Sequence, residues 1–251
     1  MRLVDSHTHI RRGQEEESLA LAKNGLWQFV CATNPTDCGF VADLEKADEH
    51  IVGTYGLHPW YAKDFSMDAM DRWLKDAKII GEIGLDTVWA PIPIEDQIDV
   101  FVYQLKLAVE LQKPIILHTK GAESLILDYI RKYTPPRIII HWYSGDRELL
   151  DGFIDLDCYF TLGPDIGINP IVQDVCKTVP IDRLLVETDG IEAVNWALGG
   201  EHDMESIPEV LTSSLVHGAA IKGTTVDSMA DIIFSNSMEI IRDLTRKHFK
   251  M

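Results

Sequence analysis

The chain has 251 residues, 46% of them hydrophobic, and carries 23 basic against 40 acidic side chains for a formal charge of −17. The apolar content is enough for a sizeable core and excludes a disordered chain, and no apolar stretch approaches the ~18–20 residues of a membrane span. The acidic balance argues against a protein that grips long nucleic acid through a broad basic face, since phosphate contacts need cations.

Only two apolar residues separate Arg2 from Asp5, so no secretory leader is expected. The four cysteines, Cys31, Cys38, Cys158 and Cys176, show no CxxC spacing. Both features predict a reduced, cytoplasmic protein. Single α/β barrels commonly reach ~250 residues, and one domain over 1–251 is the expectation.

Short β-branched apolar runs recur along the chain, separated by helix-like segments. They are LVDSHTH (3–9), FVCATN (29–34), IVGTYGLHP (51–59), KIIGEIGLD (78–86), PIILHT (114–119), RIIIHWYSG (137–145), CYFTLG (158–163) and RLLVETDG (183–190). Several are continuously apolar, the pattern of strands buried on both faces. After the first run, EEE at 15–17 reads as a helix start, where acids suit the positive end of the dipole. Between the fourth and fifth runs, Ile98, Phe101, Val102, Leu105, Ala108 and Val109 form one apolar helical stripe, and Pro114 opens the next strand. A final helix is marked by Met229, Ile233, Ile240, Ile241 and Leu244. Eight strand-like runs alternating with helices predict an α/β fold, a (β/α)8 TIM barrel. A doubly wound open sheet is the structural alternative, but no Gly-rich phosphate loop follows the first strand.

The runs end in ionisable residues. His7 and His9 close the first, His58 the third, Glu82 and Asp86 the fourth, His118 the fifth, His141 the sixth and Asp189 the eighth. In a barrel all these ends open on one rim. A lone histidine after an apolar run is usually a hydrogen-bonded core or loop residue; the joint occurrence of His7, His9, His118, His141, Glu82 and Asp189 at corresponding ends is not explained that way. Imidazole nitrogens and carboxylate oxygens are ligands for divalent ions. His7 and His9, two apart on a strand, face the same side and can chelate together, with Thr8 toward the helices. Asp5 shares the inward parity, either as a deeper support or as another ligand. Six ligands suit two ions (Mg, Mn or Zn): His7, His9 and Asp189 at one, His118 and His141 at the other, and Glu82 bridging. Asp189 is also the candidate proton acceptor. Cys31 reads as a small buried residue, and Trp27, Trp60, Trp73 and Trp89 as packing residues or loop anchors.

DSHTH, GLHP (56–59), IGEIGLD (80–86), PIILHTK (114–120), IIHWYSG (139–145) and LLVETDG (184–190), in this order, resemble the TatD-like metal-dependent deoxyribonucleases of the amidohydrolase superfamily. The resemblance runs from residue 3 to about 244. It implies the same metal ligands: His7, His9, Glu82, His118, His141 and Asp189. It implies that His58 contacts substrate rather than metal and that Lys120 stands where the family has a cation able to hold a phosphate. Asp86 is expected to support a ligand histidine. It also implies the reaction, attack on a phosphodiester by a metal-bound hydroxide.

The chain departs from the family pattern after Asp189. Gly190 and Ile191 stand where a proline is usual in the second place, and 192–208 contains Glu192, Glu201, Asp203 and Glu205 but no Lys or Arg. This acidic loop predicts a rim not built for DNA. The expected partner is DNA or a small phosphodiester, with no membrane and no obligate protein partner. The alternative is an amide, lactone or ester hydrolase acting on a small metabolite with the same centre. Trp142 and Tyr143, beside His141, are either base-stacking groups or wall packing.

Overall fold

The computed structural model describes residues 1–242. Eight parallel strands, each paired with the next in chain order, form the barrel wall: β1 Val4–Thr8, β2 Trp27–Ala32, β3 Ile51–Tyr55, β4 Ile79–Gly84, β5 Ile115–His118, β6 Ile138–Ile140, β7 Tyr159–Leu162 and β8 Leu184–Val186. Every residue of β4 and β5 is buried. That is why these strands read as unbroken apolar runs rather than alternating ones. The chain is therefore a (β/α)8 barrel, as the rhythm of the runs predicts.

The seam between β8 and β1 is joined at the rim. The Asp189 N–H donates to the His7 carbonyl at 3.1 Å. The buried Asp5 carboxylate accepts from the Thr188 N–H at 3.0 Å and the Thr188 hydroxyl at 2.5 Å. Asp5 thus lies below the cluster as a clasp between strands. Thr8 turns to the same seam, its Oγ1 3.2 Å from Thr188 Oγ1, rather than simply toward the helices.

Helices α1 Glu15–Lys23, α2 Pro35–Ala47, α3 Met67–Asp76 and α4 Ile94–Leu111 follow the first four strands. On α4 the predicted stripe buries Phe101, Leu105 and Ala108, but it also buries Gln97 and Gln104, two turns apart. Each glutamine grips a loop backbone from both sides. Gln104 accepts from Leu57 N–H at 2.7 Å and donates to Leu57 C=O at 3.0 Å. Gln97 does the same at Asp86, at 2.8 and 2.9 Å. The loops that carry His58 and Asp86 are held by these amides.

Helices α5 Glu123–Tyr133, α6 Arg147–Ile154, α7 Pro170–Thr178, α8 Ile191–Leu198, α9 Ile207–Lys222 and α10 Val226–Arg242 follow among the described residues. Met229, Ile233 and Ile240 of α10 are buried as expected; Leu244 lies outside the described residues. Several boundaries differ from the sequence reading. Strand β2 begins at Trp27, two residues before the apolar run. β6 and β8 stop short of His141 and Asp189. The segment 192–208, expected as a loop, is helical through Leu198. No helix among the described residues is long and apolar enough to cross a membrane.

Candidate metal centre

Glu82 lies at the middle of the rim cluster, 2% exposed, and its two oxygens face different histidines. Oε2 is 3.5 Å from His7 Nε2 and 3.5 Å from His9 Nε2. Oε1 is 2.7 Å from His118 Nδ1 and 2.9 Å from His141 Nε2. Asp189 Oδ1 completes the first side, 3.4 Å from His7 Nε2 and 3.2 Å from His9 Nε2. His58 approaches the second, with Nε2 3.5 Å from Glu82 Oε1. Donor atoms lie within 4.8 Å of one another in three sets: His7, His9 and Glu82; His7, His141 and Asp189; and His58, Glu82 and His118. All six expected ligands converge, and His58 adds a seventh donor that the sequence reading assigned to substrate alone.

The cluster is electrostatically tense. Burial alone would push the Glu82 carboxyl up, but the charge on His141 and hydrogen bonds from His118 and His141 hold it well below the usual carboxylate range. Burial would likewise lower His9, yet hydrogen bonds to Asp189 and Glu82 push it up to about 10. Burial dominates at His58, pushed down to about 4, so its imidazole is neutral; Nδ1 accepts the Trp60 N–H at 3.2 Å while Nε2 faces Glu82. Burial raises the deeper Asp5 to about 7. The Cys31 thiol is raised well above its ordinary value by burial and accepts the Glu82 N–H at 2.9 Å, which suits packing and not nucleophilic attack.

Both ring nitrogens of His7 and Nδ1 of His141 are buried without a hydrogen-bond partner. Such orphans are costly in a protein interior. Nitrogen and oxygen lone pairs converging at these separations fit divalent cations in chemistry and spacing. Supporting groups stand behind the donors. His118 Nε2 is 3.0 Å from Asp86 Oδ2, the contact expected of Asp86, and Trp60 Nε1 donates to the same oxygen at 2.7 Å. The fully buried Glu187 lies 3.5 Å from His141 Nδ1. Sequence reasoning passed over Glu187; its place beside Thr188 and Asp189 in the same strand end was the available signal.

The cluster floors a cavity of about 640 Å³. Lys120 faces it, donating to Ser144 Oγ at 3.0 Å with its ammonium 4.5 Å from the Trp89 ring centre. Arg11 and Arg12, from the loop after β1, also line the mouth. The rim therefore has basic groups, supplied by loops other than the acidic segment from which their lack was expected. Trp89 and Trp60 are 51% and 41% exposed in the cavity wall rather than packed away, although Trp60 is also a loop anchor. Of the aromatic pair after His141, Trp142 lines the cavity while Tyr143 is buried against Phe153 and Phe160.

A parallel eight-stranded barrel with histidines and carboxylates gathered at its strand ends defines a metal-dependent hydrolase. The TatD related DNase family model matches residues 4–242, and the chain belongs to that family. It is 28% identical over 253 residues to the uncharacterized metal-dependent hydrolase YcfH of Escherichia coli K12, covering 94% of each chain. It is 32% identical over 178 residues to the 3'-5' ssDNA/RNA exonuclease TatD of Pantoea ananatis, covering 64% of this chain and 66% of that one. The crystal structure of the TatD homolog YjjV from Escherichia coli superposes with a TM-score of 0.82 at 25% identity, covering 96% of this chain and 97% of the other.

Proposed function

We propose that the protein is a two-metal phosphodiesterase acting on nucleic acid. The observation that carries this reading is the division of Glu82: Oε2 faces His7 and His9, and Oε1 faces His118 and His141. A carboxylate so divided suits a bridge between two ions, one held with His7, His9 and Asp189, the other with His118 and His141. When bound, such ions polarise a phosphoryl oxygen and make water acidic enough to attack at neutral pH.

The chain's own residues do the rest. Asp189 accepts the proton of the attacking water: its side chain is 22% exposed against 2% for Glu82, so it meets solvent where Glu82 does not. Lys120, pinned by Ser144, holds a phosphate oxygen of the substrate. Neutral His58 contacts the substrate beside Glu82. The nuclease names of relatives support a nucleic-acid substrate.

The test pairs metal analysis with activity. About two ions per chain in the parent, falling in His7→Ala and Glu82→Ala, supports the dinuclear reading. Purified protein loaded with Mg, Mn or Zn is then given oligonucleotides, activated esters and lactones. Cleavage confined to esters or lactones overturns the phosphodiesterase reading in favour of a small-metabolite hydrolase.

A further inference from the structure

Three tryptophans from three different loops or helices meet on one wall of the cavity. Trp196 of α8 lies between Trp89, with ring centres 6.2 Å apart, and Trp142, 6.0 Å apart, both edge-on. Trp196 is 71% exposed. A large apolar ring held at that exposure by two others is an uncommon use of the most costly aromatic surface to leave in water. The wall is built firmly. Trp142 Nε1 donates to Asp165 Oδ1 at 3.1 Å, and its N–H to Thr161 Oγ1 at 2.9 Å. Gly190 sets the start of α8 against β1: with φ of 87°, a Cβ there would lie 2.7 Å from the His9 carbonyl oxygen. The helix that presents Trp196 thus starts in close approach to the strand end that carries His9.

The surroundings separate a base from a merely greasy ligand. The Lys120 ammonium, which lines the same cavity, sits 4.5 Å from the Trp89 ring centre. Arg11 and Arg12 line the same mouth; Arg11 is paired with Glu192 at 3.2 Å, and Arg12 lies 5.1 Å from the Phe40 ring centre. Aromatic faces next to cations match a nucleotide, which carries a planar ring and a phosphate at fixed spacing. A base inside a duplex is already stacked on both faces, so only an unstacked base can lie on a tryptophan ring.

We infer that Trp196, flanked by Trp89 and Trp142, is the stacking subsite for the unpaired base next to the scissile phosphate. The inference rests on the phosphodiesterase reading for its substrate. Stacking uses the π-face every base has, so the subsite tells base from no base and discriminates weakly among the four.

The test compares two single-stranded hexanucleotides, one ordinary and one with an abasic residue at the 3′ end. Binding is read by fluorescence anisotropy in EDTA, where turnover is stopped, and cleavage separately with added metal. The parent is expected to bind the ordinary strand about tenfold more tightly than the abasic one. Trp196→Ala is expected to bring that ratio close to one, and Trp196→Phe to retain part of it. Since Trp196 is 71% exposed, these variants remove little core packing. A parent without base preference, or a ratio unchanged in Trp196→Ala, overturns the subsite. Base-dependent binding without cleavage under any metal overturns the hydrolysis reading and leaves the subsite standing.

Discussion

His118 turns its Nε2 to Asp86 Oδ2 at 3.0 Å and thereby leaves Nδ1 directed at Glu82 Oε1, 2.7 Å away. An imidazole that donates one N–H to a carboxylate has its tautomer and orientation set for using the other nitrogen as a ligand. Asp86 also caps the Val88 and Trp89 N–H groups at 2.8 and 2.7 Å, so it is itself rigidly held. Asp86→Asn keeps the shape but loses the charge. It should weaken metal binding by about 10–100-fold in titration calorimetry, and an unchanged affinity would show that Asp86 only shapes the loop.

Metal uptake should release protons. In the metal-free protein, the Asp189 and Glu82 hydrogen bonds that outweigh burial push His9 up to about 10, so at neutral pH it carries a proton that an arriving cation must displace. Apparent affinity therefore tightens as pH rises toward that value. Calorimetry at pH 7 in two buffers of different ionisation enthalpy should give different apparent heats; identical heats would refute the exchange. His9, raised, contributes stabilisation that is full below its unfolded value of ~6.5 and is lost as pH climbs through about 10. Asp189 is depressed by its histidine partners despite burial, so its contribution holds above ~3.9 and is lost as pH falls below that. Melting of the chelated protein against pH should thus fall off toward both acid and strong alkali.

Gln104→Leu tests the loop grip. The leucine fills similar space on α4 but strands the Leu57 N–H and C=O, both now satisfied by the glutamine. An unsatisfied buried group costs ~1–3 kcal/mol, so with two stranded a loss of about 2–6 kcal/mol is expected in urea unfolding. A loss within ~0.5 kcal/mol would mean that the loop finds other partners.

Gly190→Ala tests the seam. The new methyl meets the His9 carbonyl, and the backbone sits at a φ of 87° that L-residues rarely adopt. Destabilisation of roughly 1–3 kcal/mol is expected, together with weaker metal binding because His9 and Asp189 flank the displaced atoms. Unaltered melting and metal content would contradict that account.

Much of the barrel and its centre could be read from the residues in order. Strands buried on both faces must be apolar throughout, so a run such as Ile115–His118 announces both the strand and, by its first polar residue, its end. Parallel strands all finish on one rim, which is why His7, Glu82 and His118 could be grouped without knowing a single distance. Even the supporting place of Asp86 followed from its position just beyond a strand.

The cavity mouth was different. Trp196 reads as one more apolar residue near a run of acids, and whether it packs inward or stands in the mouth depends on the path of α8, which the Gly190 contact with His9 directs. Arg11 and Arg12 look like surface cations until the β1 end is known to border the same opening. Gln97 and Gln104 break an apolar stripe for no local reason; their partners lie on loops that sequence cannot bring near. What the sequence determined is what periodicity and strand-end chemistry encode locally: the barrel and the gathering of histidines and carboxylates at its rim. What only the tertiary structure decided is the division of Glu82 between two histidine pairs, the grip on the loops and the tryptophan wall, because each depends on side chains from distant segments meeting at fixed distances.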